Sequence, residues 1–272
     1  MSATSRERKG QIAMKADTRG KEPRLPGDPT SAGPLPARKG ASAPAASLTI
    51  FTGFVGLAAC LFVLGTIADG VRDQEVFVLD TQATPFLHGL ASPALDALMN
   101  AATFAGSNFF IPPLFVIAVV VLLRMHRPGA AIFLAVSSGG SLLLNSLMKV
   151  FFQRPRPQLP WASVLPDYSF PSGHTMNSVA FYVALAVIVW SIRGRRAGLV
   201  ATALAIGLAI LVGISRIYLG YHYFTDVIGG FLAGISWVLI SVAAFRAPPL
   251  ARFWRGPQKT SAADHPPPAG SS

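Results

Sequence analysis

Six apolar runs constrain this chain before anything else does: residues 48–69, 109–124, 130–151, 174–192, 197–215 and 226–245. A helix needs about 20 apolar residues to cross the hydrocarbon of a bilayer. Inside lipid the backbone must satisfy its own hydrogen bonds, so such runs fold as helices. The expectation is an all-α, integral-membrane bundle of six transmembrane helices over residues 48–246.

Composition agrees. The chain is 51% hydrophobic and 13% charged, which excludes an ordinary soluble domain. Its formal charge of +11 resembles a nucleic-acid signal, but nine of the 23 Lys and Arg lie in residues 1–47 (Arg6, Arg8, Lys9, Lys15, Arg19, Lys21, Arg24, Arg38, Lys39). That segment is rich in Pro, Gly, Ala and Ser and has no apolar period, so a disordered basic tail beside anionic lipid is expected, and no nucleic-acid partner. A second disordered tail is expected over 247–272. The single cysteine, Cys60, excludes an intrachain disulfide. The first apolar run is expected to remain as an anchor.

Residues 70–108 are mixed in polarity. Within them Ser92-Pro93 is a helix start, and Leu95, Leu98, Met99 and Ala102 follow at helical spacing. A short helix over 92–105 is expected, at the interface or packed on the bundle; a seventh span here would invert the topology. Loop charge argues for six. The N-terminal tail, Arg124, Arg127, the "RGRR" at 193–196, and Arg246, Arg252, Arg255 and Lys259 then share one side, as expected of the cytoplasmic face. Five cations fall on the other: Arg72, Lys149, Arg154, Arg156 and Arg216. Four of these belong to local clusters.

In the first cluster, "KVFFQRPRP" (149–157), Pro155 and Pro157 hold the residues before them extended. Ser138, Ser141 and Asn145 precede Lys149 on one helix face, a polar stripe turned to the bundle interior. Basic residues at a helix end commonly snorkel to headgroups, which explains one such cation better than three. The second cluster, "FPSGHTMNS" (170–178), places a Ser172-Gly173 turn where His174 opens a span, so backbone N–H groups face an anion. The third, "SRIYLGYHYFTD" (215–226), places Asp226 four residues after His222, where a helix would let the carboxylate orient the imidazole. Each alone is compatible with plain capping or an interfacial side chain. Together, on one side of the membrane, they are the parts of a phosphate site: cations for the oxygens, one imidazole to attack phosphorus and one to protonate the leaving oxygen.

Lys149–x6–Arg156-Pro157, Pro171-Ser172-Gly173-His174 and Ser215-Arg216–x5–His222–x3–Asp226 resemble, in order and spacing, the three-part signature of the type 2 phosphatidic acid phosphatase (PAP2) superfamily, which includes vanadium-dependent haloperoxidases. The resemblance covers roughly 48–246. It implies a six-helix bundle with an extracytoplasmic site and metal-independent hydrolysis without a cofactor. His222 is the implied nucleophile, His174 the acid and Asp226 the orienting partner. Lys149, Arg156, Ser172, Gly173 and Arg216 are the implied phosphate ligands. Arg154, outside the minimal pattern, is expected to assist a second phosphate or the headgroup.

The expected function is membrane lipid phosphatase, with undecaprenyl diphosphate slightly favoured over phosphatidate and phosphatidylglycerophosphate. Rivals are phosphoryl transfer to a lipid or sugar acceptor, haloperoxidase chemistry, a metal hydrolase built on His174, His222, Asp226 and Asp167, and an anion transporter. A two-metal site would need more carboxylates, and a transporter would bring inverted repeats and helices broken near the midplane. The partners expected are the lipid phosphate and the membrane; nothing in the sequence sets the oligomeric state.

Overall fold

The computed structural model describes residues 43–163 and 165–247, all helix and loop, with no strand among them. Eight helices follow in order: α1 (Ala43–Arg72), α2 (Val78–His88), α3 (Pro93–Ala105), α4 (Ile111–Arg124), α5 (Pro128–Phe152), α6 (Gly173–Arg193), α7 (Arg195–Tyr218) and α8 (Phe224–Arg246). Five are long and apolar enough to span a bilayer, and α4 is a shorter apolar helix. The expected tail over 1–47 lies outside the described residues up to 42, and α1 begins at Ala43. The expected C-terminal tail lies outside them from 248 on.

α6 is the central helix. More than half of its most apolar stretch is buried, whereas in α1 only Gly70 and Val71, at the end of Phe51–Arg72, are buried. α1 is apolar on every side, which suits a helix that meets lipid all round. The apolar core gathers toward the arginine-rich end of the bundle, around Phe133 and Leu134 of α5, Phe181 and Ile188 of α6, Ala205 of α7 and Phe245 of α8. At the other end, small and polar residues replace it. A Cβ on Gly230 of α8 would lie 2.7 Å from the Ser172 carbonyl oxygen, and one on Gly234 would lie 2.9 Å from that of Met176. Two glycines four apart on one face thus bring α8 against the start of α6, as small residues do between membrane helices.

The expected helix over 92–105 is α3. Ser92 caps it, its Oγ accepting from the Leu95 N–H at 3.3 Å. Of the two placements expected for it, the structure shows packing on the bundle: the Tyr218 hydroxyl donates to Asp96 at 2.5 Å and the Tyr182 hydroxyl to the Ala105 carbonyl at 2.6 Å. α2 is a helix that periodicity did not indicate. Only Asp80 and Thr84 of it are buried, and Pro85 interrupts its hydrogen-bond ladder.

Candidate active site

The ends of α5, α6 and α7, the loop 153–172 and the turn 219–223 meet at one place. A cavity of about 340 Å³ opens there, and its lining includes Lys149, Arg156, Asp167, Gly173, His174, Arg216 and His222. Residues from all three sequence clusters therefore share one cavity, including both imidazoles.

The polar stripe of α5 holds the turn that carries His174. Asn145 donates to the Pro171 carbonyl at 3.2 Å and Ser141 to Asn177 Oδ1 at 2.9 Å. The stripe differs from expectation at its start. Ser137, not Ser138, reaches α6, donating to the Ala180 carbonyl at 3.0 Å, and the Ser138 hydroxyl is buried without a partner. α8 holds the turn from the other side, where the Ser172 N–H donates to the Asp226 carbonyl at 2.9 Å.

The front of the site is cationic. Arg156 sends Nη1 to His222 Nε2 at 3.1 Å and to the Tyr221 carbonyl at 2.7 Å. Its Nη2 donates to Asp167 Oδ1 at 2.6 Å. Lys149 donates to Asp167 Oδ2 and to the Tyr168 carbonyl. One half-exposed carboxylate thus bridges two cations that are themselves largely buried. Burial alone would raise the Asp167 carboxyl, but its bonds to Lys149 and Arg156 outweigh that and hold it below the usual carboxylate range. Arg216 is buried, donates from Nη1 to Thr103 of α3 at 2.6 Å, stacks over the Tyr221 ring, and leaves its Nε buried without a partner. A buried guanidinium N–H without a partner, beside a cation-rich cavity, is an unsatisfied donor.

The rear of the site is anionic and closed. His222 Nδ1 lies 3.3 Å from Asp226 Oδ2. Asp226 occupies the third position of α8 and accepts from the Tyr223 N–H at 3.0 Å, half of a capping box, which explains a carboxylate at that position locally. As Nδ1 faces a carboxylate and Nε2 a guanidinium, the imidazole carries its proton on Nδ1 and its Nε2 lone pair accepts from Arg156 at the cavity. Burial drives the His222 pKa down to about 4; the Asp226 bond opposes this, and the charges of Arg216 and Arg156 add to it.

Two of the expected site residues have protein partners of their own. Arg154 is not in the histidine cavity. Its Nη1 donates to Asp226 Oδ1 at 2.6 Å and to Thr225 Oγ1 at 2.8 Å, and its Nη2 donates to Asp80 Oδ2 at 2.6 Å. It borders a separate cavity of about 370 Å³, beside the end of α1 and α2. The expected contact with a second phosphate is replaced by two carboxylates, because an arginine flanked by buried anions pairs with them first. Ser172 is fully buried and its Oγ accepts from Thr175 Oγ1 at 3.1 Å, which leaves its own O–H to donate. Asp167 entered the sequence reading only as a ligand of the rival metal site, and Asp80 and Thr103 were not singled out at all. These two lie on helices before the clusters, and only the contact across helices reveals them.

The superfamily model that matches the chain is that of PAP2, over residues 130–248, from α5 to just past α8. Phosphatidylglycerophosphatase B of Bacillus subtilis (strain 168) is 32% identical over 152 residues, 54% of this chain and 73% of that protein. The chain belongs to the PAP2 superfamily. Another relative, undecaprenyl-diphosphatase BcrC of the same organism, is 26% identical over 156 residues, 55% of this chain and 75% of that one. The crystal structure of a transmembrane PAP2 type phosphatidylglycerolphosphate phosphatase from Bacillus subtilis superposes with a TM-score of 0.64 at 25% identity, covering 71% of this chain and 96% of that chain. The expected multi-pass helical membrane architecture is therefore that of this PAP2 family. The PAP2 match begins after α2 and α3, so Asp80 and Thr103 fall outside it.

Proposed function

We propose that the protein is an integral-membrane lipid phosphatase that works through a phosphohistidine on His222. The observation that carries this reading is the shared cavity, with two imidazoles, three cations and one exchangeable carboxylate. The family places hydrolysis of lipid phosphates first, and the relatives named above act on phosphatidylglycerophosphate and undecaprenyl diphosphate.

The substrate phosphate displaces Asp167 from Lys149 and Arg156 and takes up the free Nε of Arg216 and the N–H groups that open α6. His222 Nε2 attacks phosphorus while the bond to the lipid oxygen breaks, and His174 gives that oxygen its proton. Asp226 holds the Nδ1 proton and balances the charge that develops on the ring. In the second half His174 takes a proton from water, the water oxygen attacks phosphorus, and the P–N bond breaks. The three cations stabilise the transition state without a metal, and a divalent ion placed among them would be repelled.

The cavity lies where α5 and α7 end and α6 begins, away from the helix ends that carry Arg124, Arg193, Arg195 and Arg246. Arginine-rich ends face the cytoplasm. This supports a cytoplasmic-membrane protein with an extracytoplasmic site and both termini inside, where the lipid tail stays in the bilayer as its phosphate enters the cup.

The test is phosphate release by the purified protein in detergent with EDTA, from phosphatidylglycerophosphate, phosphatidate and undecaprenyl diphosphate. Release from at least one of them in EDTA, with label trapped on histidine, supports the reading. Activity abolished by EDTA and restored by a divalent metal, or release with no covalent intermediate, overturns it.

A further inference from the structure

We infer that Asp80 and Arg154 are positioning residues that complete the His222–Asp226 couple from behind, with Asp80 setting the charge that Asp226 presents to the nucleophile. The inference rests on His222 acting as proposed above.

Both carboxylates are buried, and one arginine joins them. Arg154 donates to Asp226 Oδ1 at 2.6 Å and to Asp80 Oδ2 at 2.6 Å, with its face over the Tyr223 ring 4.3 Å away. Asp80 is fully engaged. Its Oδ1 accepts from the Thr225 N–H at 2.8 Å and its Oδ2 accepts from the Thr225 hydroxyl at 2.6 Å. One acidic side chain of α2 therefore satisfies an orphan N–H in the first turn of α8 and clamps the arginine that grips Asp226. Among the described hydrogen bonds Asp226 Oδ1 has only Arg154 as donor, while Oδ2 serves His222 and Tyr223. Pinning Oδ1 fixes the plane of the carboxylate, and with it the tautomer and aim of His222.

Charge shows why Asp80 is an acid. Arg154 alone beside Asp226 would cancel the negative charge that must face a ring turning cationic as it attacks phosphorus. Asp80 neutralises Arg154, so the trio keeps one net negative charge behind His222. At the front Arg156 and Arg216 oppose that ring charge, so the deficit would fall on the covalent step. A buried ion triplet held only for rigidity would not distinguish one neutralised arginine from none.

Asp80→Asn keeps the shape and removes the charge, together with one of the two accepting oxygens. It should lower kcat about tenfold, leaving KM and the inhibition constant of inorganic phosphate within about twofold, since no substrate ligand changes. Adding Arg154→Gln restores one net negative charge behind His222, so the double variant should regain part of the lost kcat. A scaffold role predicts the opposite, further loss on removing a second buried partner. Wild-type kcat in Asp80→Asn, a rise in KM alone, or a double variant no better than the single overturns the inference. Should Asp80→Asn fail to fold, Arg154→Lys, which keeps charge but cannot span both carboxylates, carries the test: lower kcat at unchanged phosphate inhibition supports it, and unchanged kcat overturns it. His222→Ala is assayed alongside. Turnover retained there removes the nucleophile and the inference with it, whereas a dead His222→Ala beside a fully active Asp80→Asn removes the inference alone.

Discussion

The two sides of His222 are built on opposite plans. In front, Lys149, Arg156 and Arg216 surround one carboxylate that is half exposed, and Arg216 keeps an unpaired N–H. Behind, Arg154 lies between two carboxylates that are almost wholly buried, with every oxygen of both engaged. The front has spare donors and a replaceable anion; the rear has none. An ion pair open to water is weak and exchanges readily, whereas a buried one costs several kcal/mol to break from one side. The same residue types thus give a binding surface on one side of a ring and a fixed mount on the other.

The largest effect expected of any substitution tests what joins the two sides. His222→Ala should abolish both phosphate release and covalent labelling while the protein still inserts. Loss of release with labelling retained would move the nucleophile elsewhere. Next come the front cations: Lys149→Ala or Arg216→Ala should cost about 2–4 kcal/mol in kcat/KM, as for donors to a transition-state oxyanion. An unchanged rate in both would break the assignment of front and rear. A smaller effect of opposite sign belongs to Asp167. Asp167→Asn weakens the anion that substrate must displace, so KM and the inhibition constant of phosphate should fall by about two- to fivefold, the size of a partly exposed pair. A rise in either would make Asp167 a substrate ligand instead of its competitor.

The pH profile gives the mildest test. Burial holds the His222 pKa at about 4, below the ordinary 6.5, so the neutral nucleophile persists through mildly acid solution. Its contribution to the acid limb of kcat/KM, which reports the free enzyme, should fall as pH drops through about 4, not through 6.5. The same shift means that the folded state binds fewer protons at this site than the unfolded chain, so stability falls as pH drops from about 6.5 toward 4. A limb near 6.5 in kcat/KM that substrate ionisation does not account for would place water against His222.

Much of this was readable in the chain. The six apolar runs became α1 and α4 to α8 with boundaries shifted by a few residues, because long apolar stretches leave the backbone little choice. The cavity-lining residues of the three clusters were readable because phosphate chemistry needs those types together. What escaped was set by contacts between distant helices. α2 shows only two buried positions, too few for a period, and Asp80 meets Thr225 across 145 residues. Arg154 was conspicuous as a cation, yet only the position of Asp80 decides which way it points. Ser138 and Ser137 differ by one step on a helix, about 100° of rotation, which a stripe drawn from spacing alone cannot resolve.

The anchors of Arg154 and Arg216, at Asp80 and Thr103, are synthesised long before the last helix exists to use them. Asp80 can meet Arg154 once the loop after α5 is made, but its bonds to Thr225 wait for α8, and Thr103 waits for Arg216 at the end of α7. A chain that stops before α8 holds both histidines yet lacks Asp226, the carboxylate that meets His222, and Thr225, the partner of Asp80.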